Sequence, residues 1–475
     1  MKQYWNKTKV VCTIGPACKN ADTIKKMILG GMDIARFNFS HGVFAEHGAS
    51  MKNVRGLALK LRASVAVLQD LPGPKIRIGL LKSDFVELRK GQRFFLTSKN
   101  IAGDAAGVGI NDPAFVRDLK KKDIVYLNDA LVKLVVVSRN REEVFCEVLT
   151  GGRIYPRKGV NCPTRILRTA SVTPFDMKCL RFGMENGVDF VAVSFVQRPG
   201  DIIKVKNFLK RKNKNIFVIA KIERKIAFQE IDGIIRASDA VMVARGDLGI
   251  EADYSEVPFL QKELIKKCNR YGRPVITATQ MLESMVNSPQ PTRAEVSDVA
   301  NAIIDGTDAL MLSEETAMGN FPVEALLAMV RIAEKAESEL HRIRQAKNDV
   351  LALQEEGLLE AFSLSAVKVA ANIKAKVIIV PTLNAGSLSW LSRLRPGCAV
   401  AAITSEDAVY KKLILFWGVF SIKIEGFKDL PKTLRQCVEL VKTHRLAARH
   451  ERVVIMLTSD NMLFSSNIME VRTLD

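Results

Sequence analysis

Eight short apolar runs recur through this 475-residue chain before residue 316, at 9–14, 32–39, 64–69, 188–196, 216–222, 240–244, 274–278 and 308–312. Runs of this length without strict alternation suit strands buried on both faces. Amphipathic helical patterns lie between most of them. Residues 22–29 read as one helix, with Asp22 as N-cap and Gly30-Gly31 as its stop, and residues 257–270 read as another, closed by Tyr271-Gly272. Eight strands alternating with helices predict a (β/α)₈ barrel, whose chemistry sits at the C-terminal ends of the strands.

Polar residues occupy seven of those eight ends. The second carries Arg36, Asn38, Ser40 and His41, the third Asp70 and the fourth Ser194. The fifth ends in Lys221-Ile222-Glu223 and the sixth in Arg245-Gly246-Asp247. The seventh carries Thr277, Thr279 and Gln280, and the eighth Ser313, Glu314 and Glu315. Strand residues two apart share a face, so Lys221 pairs with Glu223, and Arg245 with Asp247. Two carboxylates on neighbouring strand ends suit a divalent cation, and a nearby ammonium suits a phosphoryl group. The bland reading of Lys221 is a salt bridge to Glu223.

The spacing breaks once, where 118 residues separate the third and fourth runs. A helix and its loops take roughly 30 to 40, so an inserted domain is expected. It reads as all-β, with strands at 84–88, 93–97, 123–126, 131–138 and 143–149, placed to cover the barrel mouth as a lid. Residues 341–354 read as a helical connection. Beyond it, strands at 377–381, 399–403, 419–424 and 453–457 alternate with helices at 357–373 and 430–443, a separate α/β sheet. The expected domains are 1–72 and 167–340 for the barrel, 73–166 for the lid and 341–475 for the C-terminal unit.

No apolar run reaches 18 residues and no secretory core opens the chain, so a cytoplasmic, non-membrane protein is expected. The eight cysteines are scattered, without metal-ligand spacing, and Cys12, Cys146 and Cys162 read as reduced core thiols. The net charge of +20 allows steering of phosphate-bearing substrates or nonspecific nucleic-acid binding by Lys120–Lys122 and residues 204–214. Aromatics do not interleave with these clusters, which favours solvated faces and no specific nucleic acid.

With these motifs in view the chain resembles the pyruvate kinase family from end to end. The strings are TKVVCTIGPA, IARFNFSHG, DLPGPKIRIG, KGVNCP, VAVSFVQ, AKIER, ARGDLGIE, ITATQMLESM and PTRAEVSDVANAIIDGTDALMLSEETA. The resemblance implies a TIM barrel with an inserted β-barrel lid and a C-terminal α/β domain. It implies transfer of the phosphoryl group of phosphoenolpyruvate to ADP, giving ATP and, through the enol, pyruvate, as the final step of glycolysis. By this match Glu223 and Asp247 hold Mg²⁺ or Mn²⁺, and Lys221 and Arg36 grip the phosphoryl group. The backbone of Gly246 and Asp247 receives the substrate carboxylate, and Thr279 lies where the methylene carbon is protonated. Asn38, His41, Arg77 and Lys158 match the nucleotide site. No GxxxxGK[ST] loop is present, so the nucleotide is not held by a P-loop. Ser313 and Glu315 are expected to hydrogen-bond rather than react. A homotetramer is implied by resemblance alone.

The sequence departs from the family in four places. Members that bind K⁺ at positions matching Asn38, Ser40 and Asp70 read DTKGPEIR, whereas this chain has Lys75 in place of the glutamate. An ammonium there supplies the charge K⁺ would bring, so activity without K⁺ is expected. Glu314 adds an acid beside the eighth strand, and Met318 stands where lysine is common. The loop 382–387 has few hydroxyls and Ser387 in place of an arginine, which disfavours fructose 1,6-bisphosphate while leaving another sugar-phosphate or nucleotide effector open. Two other readings are a different phosphoenolpyruvate enzyme, such as a lyase or mutase, and a basic binding protein. The first leaves the lid, Lys158 and the third domain idle. The second leaves Lys221, Glu223, Asp247, Arg36 and Thr279 unexplained.

Overall fold

The computed structural model describes residues 6–128, 130–164, 170–347, 357–427, 429–459 and 466–475. Its eight expected runs form eight parallel strands: Lys9–Thr13, Ile34–Asn38, Ala66–Asp70, Phe190–Val193, Phe217–Ile222, Ala240–Ala244, Val275–Ala278 and Ala309–Leu312. They close in sequence order, the first strand pairing the second through Thr13 and Arg36 and the eighth through Cys12 and Leu312.

Each strand is apolar on both faces because both are covered. Val11, Ile34, Leu68, Ala192, Ile219, Met242, Ile276 and Met311 belong to one buried cluster inside the barrel. Their neighbours Val10, Ala35, Val67, Val191, Ala220, Val241, Val275 and Leu310 pack under the helices. This alternation sets the mouth. One step of two residues beyond an interior position brings Thr13, Arg36, Asp70, Ser194, Lys221 and Ser313 to the inward face at the strand ends.

The first helix runs Ala21–Leu29, and its N-cap is Asn20, which accepts from the Thr23 N–H at 2.8 Å. Asp22 instead falls in the first turn, where its charge favours the helix dipole. Val257–Arg270 forms as expected. The inserted segment builds a six-stranded sheet and a two-stranded one around its own core. Beyond the five expected strands it contains Gly107–Gly109, Gly152–Ile154 and Val160–Asn161. Gly73 fixes its root: φ is 66°, and a Cβ there would lie 2.9 Å from both Ser194 Cβ and Phe195 Cδ2.

Helix Pro322–Lys347 carries the chain past residue 340, and the expected connection beyond Lys347 lies outside the described residues until Gly357. The C-terminal sheet has four parallel strands, Val377–Pro381, Ala399–Thr404, Val419–Lys423 and Arg452–Leu457, plus an antiparallel edge strand Ile468–Thr473. It packs against the barrel base. Arg395 reaches Asp308 Oδ1 at 2.7 Å, and Trp417 Nε1 donates to Thr8 Oγ1 at 3.1 Å. Burial lifts the Asp308 carboxyl above its usual range despite Arg395. Replacing Arg395 with methionine leaves that carboxylate buried without its cation, and we expect a loss of about 3 kcal/mol or more in denaturant unfolding. The cysteines are unbridged; seven are buried, and Cys398 is partly exposed. Among the described residues no helix is long and apolar enough to cross a membrane.

Candidate active site

Asp70 is the hub of the barrel mouth. Its Oδ2 accepts from Arg36 Nε at 2.9 Å and Nη2 at 2.7 Å, while its Oδ1 lies 3.1 Å from Lys221 Nζ. Arg36 Nη1 donates to Thr13 Oγ1 at 2.8 Å, which fixes the guanidinium plane. Lys221 Nζ also donates to Ser194 Oγ at 2.7 Å and pairs with Glu223 Oε1 at 2.8 Å. The salt bridge entertained for Lys221 therefore forms, within a larger network that also takes in Asp70.

Burial alone would strip charge from these groups. For Asp70 burial acts upward, but Lys221 and Arg36 outweigh it and hold the carboxyl below its usual range. For Lys221 burial acts downward, and the carboxylates of Asp70 and Glu223 more than reverse it, so the ammonium is held charged. Glu223 differs. Burial pushes its carboxyl up to about 7, opposed by Lys221 and reinforced by Asp247.

Glu223 Oε2 accepts the Phe195 N–H at 2.6 Å, and this anchors the carboxylate. Asp247 lies in the first turn of helix Arg245–Glu251, not in a strand. That corrects the shared-face reading of Arg245 and Asp247, because helical residues two apart point roughly 200° away from each other. Arg245 turns out of the mouth. It holds Asp298 Oδ2 at 2.6 Å and the carbonyls of Thr279 at 2.8 Å and Gln280 at 3.1 Å. Thr279 and Gln280 have φ of 69° and 52°, a left-handed bend costly for residues with side chains, and Arg245 secures it. The bend carries Thr279 Oγ1 to the Gly246 N–H at 2.7 Å. Thr277 points away from the mouth, to Thr307 Oγ1 at 2.9 Å.

The donor set suits a small dication. Two neighbouring carboxylates, one raised by burial and by the other's charge, gain from an ion between them. Among the described residues no cluster of three metal-ligating side chains occurs. Mg²⁺ suits such a sparse set because it keeps waters and takes substrate oxygens.

The other assigned residues lie around this centre. Arg77 and Lys158 come together at the lid root, where Arg77 bridges Gly159 and the Ile78 N–H donates to Lys158 O at 3.0 Å. Arg77 Nη1 donates to Arg157 O at 2.7 Å. Asn38 and His41 follow the second strand; Asn38 Oδ1 accepts the Ser40 N–H at 3.1 Å, and His41 is exposed. Lys75 shares a narrow cleft with Asp247, Arg224, Phe195 and Asn161. Glu315 accepts the N–H groups of Ser313 at 2.6 Å and Leu282 at 3.1 Å, a structural task, while Glu314 is exposed.

Thr13 and Arg224 are partners of the site that the strand-end pattern does not reveal. Thr13 orients Arg36, and Ser194, the polar residue at the end of the fourth strand, orients Lys221. Arg224 is buried in the cleft, stacked 5.4 Å from the Phe195 ring and 3.9 Å from Glu251 Oε1. Its signal was its place directly after Lys221-Ile222-Glu223.

Comparison with known proteins agrees with this architecture. Residues 5–326 match the family model described as pyruvate kinase, barrel domain, and residues 360–472 match pyruvate kinase, alpha/beta domain. A pyruvate kinase of Thermococcus litoralis is 43% identical over 87% of this chain and 88% of its own length. One from Thermotoga maritima is 38% identical over 98% of this chain and 99% of its own. A crystal structure of a pyruvate kinase from Cryptosporidium parvum superposes with a TM-score of 0.92 at 31% identity, covering 99% of this chain and 96% of that one. A closed eight-stranded barrel with an inserted β domain and a C-terminal α/β domain is thus an architecture shared with these proteins, and the chain belongs to the pyruvate kinase family.

Proposed function

We propose that this phosphotransferase moves the phosphoryl group of phosphoenolpyruvate to ADP at the Arg36–Asp70–Lys221–Glu223 cluster. The observation that supports it most is Lys221, kept charged inside the barrel mouth between two carboxylates. Phosphoryl transfer calls for charge neutralisation and alignment more than covalent catalysis.

Arg36 and Lys221 hold the phosphoryl oxygens, with Asp70 and Thr13 fixing where those cations point. Glu223 and Asp247 hold Mg²⁺ or Mn²⁺, which when bound neutralises substrate carboxylate and phosphoryl charge. The bond from phosphorus to the enol oxygen breaks as one to the terminal ADP oxygen forms. Lys221 stabilises the enolate oxygen left behind. The substrate carboxylate takes the N–H groups of Gly246 and Asp247, displacing Thr279 Oγ1 from Gly246. The freed hydroxyl then faces the methylene carbon and relays a solvent proton to it, giving pyruvate. ADP lies between barrel and lid against Asn38, His41, Arg77 and Lys158.

The monovalent site of Asn38, Ser40 and Asp70 is proposed not to need K⁺. Both oxygens of Asp70 already face cations, and Lys75 lines the same cleft as Asp247. Turnover assayed in K⁺-free buffer should match turnover with K⁺ added, and Lys75→Glu should restore a K⁺ requirement. Wild-type turnover that appears only with K⁺ would keep the reaction and reject this role for Lys75. For the C-terminal domain, a sugar-phosphate or nucleotide effector remains the proposal. The loop spends part of its polarity on itself, Thr382 Oγ1 donating to Asn384 O at 2.5 Å and Asn384 Oδ1 accepting from Gly386 at 2.8 Å. A homotetramer is proposed from family membership.

A further inference from the structure

The lysine-rich stretch 204–214 finds no use in the reaction, yet the fold gives it a counterpart. Helix Pro199–Arg211 and the turn after it bring Lys206, Lys210 and Lys214 to the barrel base. Across from them helix Asp407–Lys412 of the C-terminal domain ends in Lys412. These four lysines line one cleft of about 570 Å³, within the size range of small-molecule sites. Its floor includes Phe217, whose ring lies 4.4 Å from Lys412 Nζ. Asp239 is the single acid in the lining and is taken by Lys206 at 2.7 Å.

Lys412 is only 7% exposed, which is unusual for a lysine in an open cleft. It donates to Asn215 Oδ1, a neutral acceptor, while Asp239, the acid of the lining, is paired with Lys206. Four lysines against one carboxylate, contributed by two domains to the lining of a cleft of ligand size, make a site for anionic charge.

We propose that this cleft binds a small phosphate-bearing molecule, with Lys206, Lys210, Lys214 and Lys412 as its ligands. The site is separate from the barrel mouth and does not depend on the catalytic reading. Phe217 begins the strand that ends at Lys221 and Ile222, so an occupant acts at the root of the strand that carries the catalytic lysine.

A pH dependence follows. Burial draws Lys412 down to about 8, with Asp239 acting in opposition and Lys206 in support. Lys210 and Lys214 from the barrel side, and Asp407 and Lys411 from its own helix, are the other charges nearby. An anion prefers the charged amine, so affinity falls as pH rises through about 8.

The test uses the full chain in metal-free buffer with inorganic pyrophosphate as probe. Titration calorimetry is combined with amine acylation, read at Lys412 by peptide mass spectrometry, with exposed Lys335 as internal reference. Pyrophosphate should slow acylation of Lys412 but not of Lys335. The variant K210E/K214E, altered at two exposed positions, should abolish that protection and weaken the corresponding binding by about tenfold or more. Binding confined to the barrel mouth would leave Lys412 acylation unchanged by pyrophosphate and the isotherm unchanged in K210E/K214E, and that overturns the proposal. Protection of Lys412 by a short single-stranded RNA but not by pyrophosphate also overturns it, in favour of a polyanion surface.

Discussion

Replacing Lys221 with methionine lowers kcat by about 10³-fold, the scale seen when a preorganised charge on a developing anion is removed. The effect falls on kcat because Lys221 gains most when negative charge builds on the enolate oxygen, while Arg36 still holds the phosphoryl group in the ground state. Methionine fills the space of the lysine stem, so the barrel stays closed. Asp70 keeps both Arg36 contacts, and Glu223 keeps the Phe195 N–H. Steady-state assays over phosphoenolpyruvate concentration separate the two parameters. A variant that turns over within tenfold of wild type would reduce Lys221 to a structural ion pair.

Asp70→Asn is expected to cost about 3 kcal/mol of stability, because it leaves two buried cations facing a neutral amide. Asp70 is 1% exposed and is shared by Arg36 and Lys221, so no solvent screens the loss. The pH dependence has a definite sign. The carboxyl is held below its unfolded value near 3.8, so its stabilisation is complete above that range and fades as pH falls through the folded value. The gap between wild type and D70N in denaturant unfolding should therefore narrow below about pH 4. Activity should fall too, since Lys221 and Arg36 lose their common anchor. Combining D70N with K221M should cost less than the two separate losses added together, by about 1 kcal/mol, because one contact is counted in both.

These two residues also mark what the sequence makes legible. The eight barrel strands lie where their apolar runs lie, because parallel strands covered on both faces need unbroken hydrophobic residues. Val10, Val11 and Cys12 are fully buried side by side. The strands left unread lack that signature. Gly107–Gly109 and Val160–Asn161 are two or three residues long, and Ile468–Thr473 is an edge strand carrying Glu470 and Arg472. Edge strands are paired on one side only, so polar residues interrupt their pattern.

Within the site, Lys221 and Glu223 could be paired from spacing because they continue the inward face of one strand. Arg245 and Asp247 could not, because the helix begins at Arg245 itself and the period changes there from two residues to 3.6. Asp70 matches a position that holds K⁺ in other members, and its contacts in this chain join Arg36 to Lys221 across strands 34 and 151 residues apart in sequence. Such distances leave no local trace. Asn20 displaces Asp22 as a cap for a simpler reason, since both are good caps and backbone geometry decides between neighbours.

The most direct test of this account is pyruvate formation from phosphoenolpyruvate and ADP, measured with Mg²⁺ present and again with the metal chelated. Stoichiometric pyruvate and ATP are expected with Mg²⁺, with loss of turnover on chelation that is reversed by adding the metal back. Folded protein that makes no pyruvate under either condition, or turns over equally well without metal, would contradict the role given to Lys221, Glu223 and Asp247.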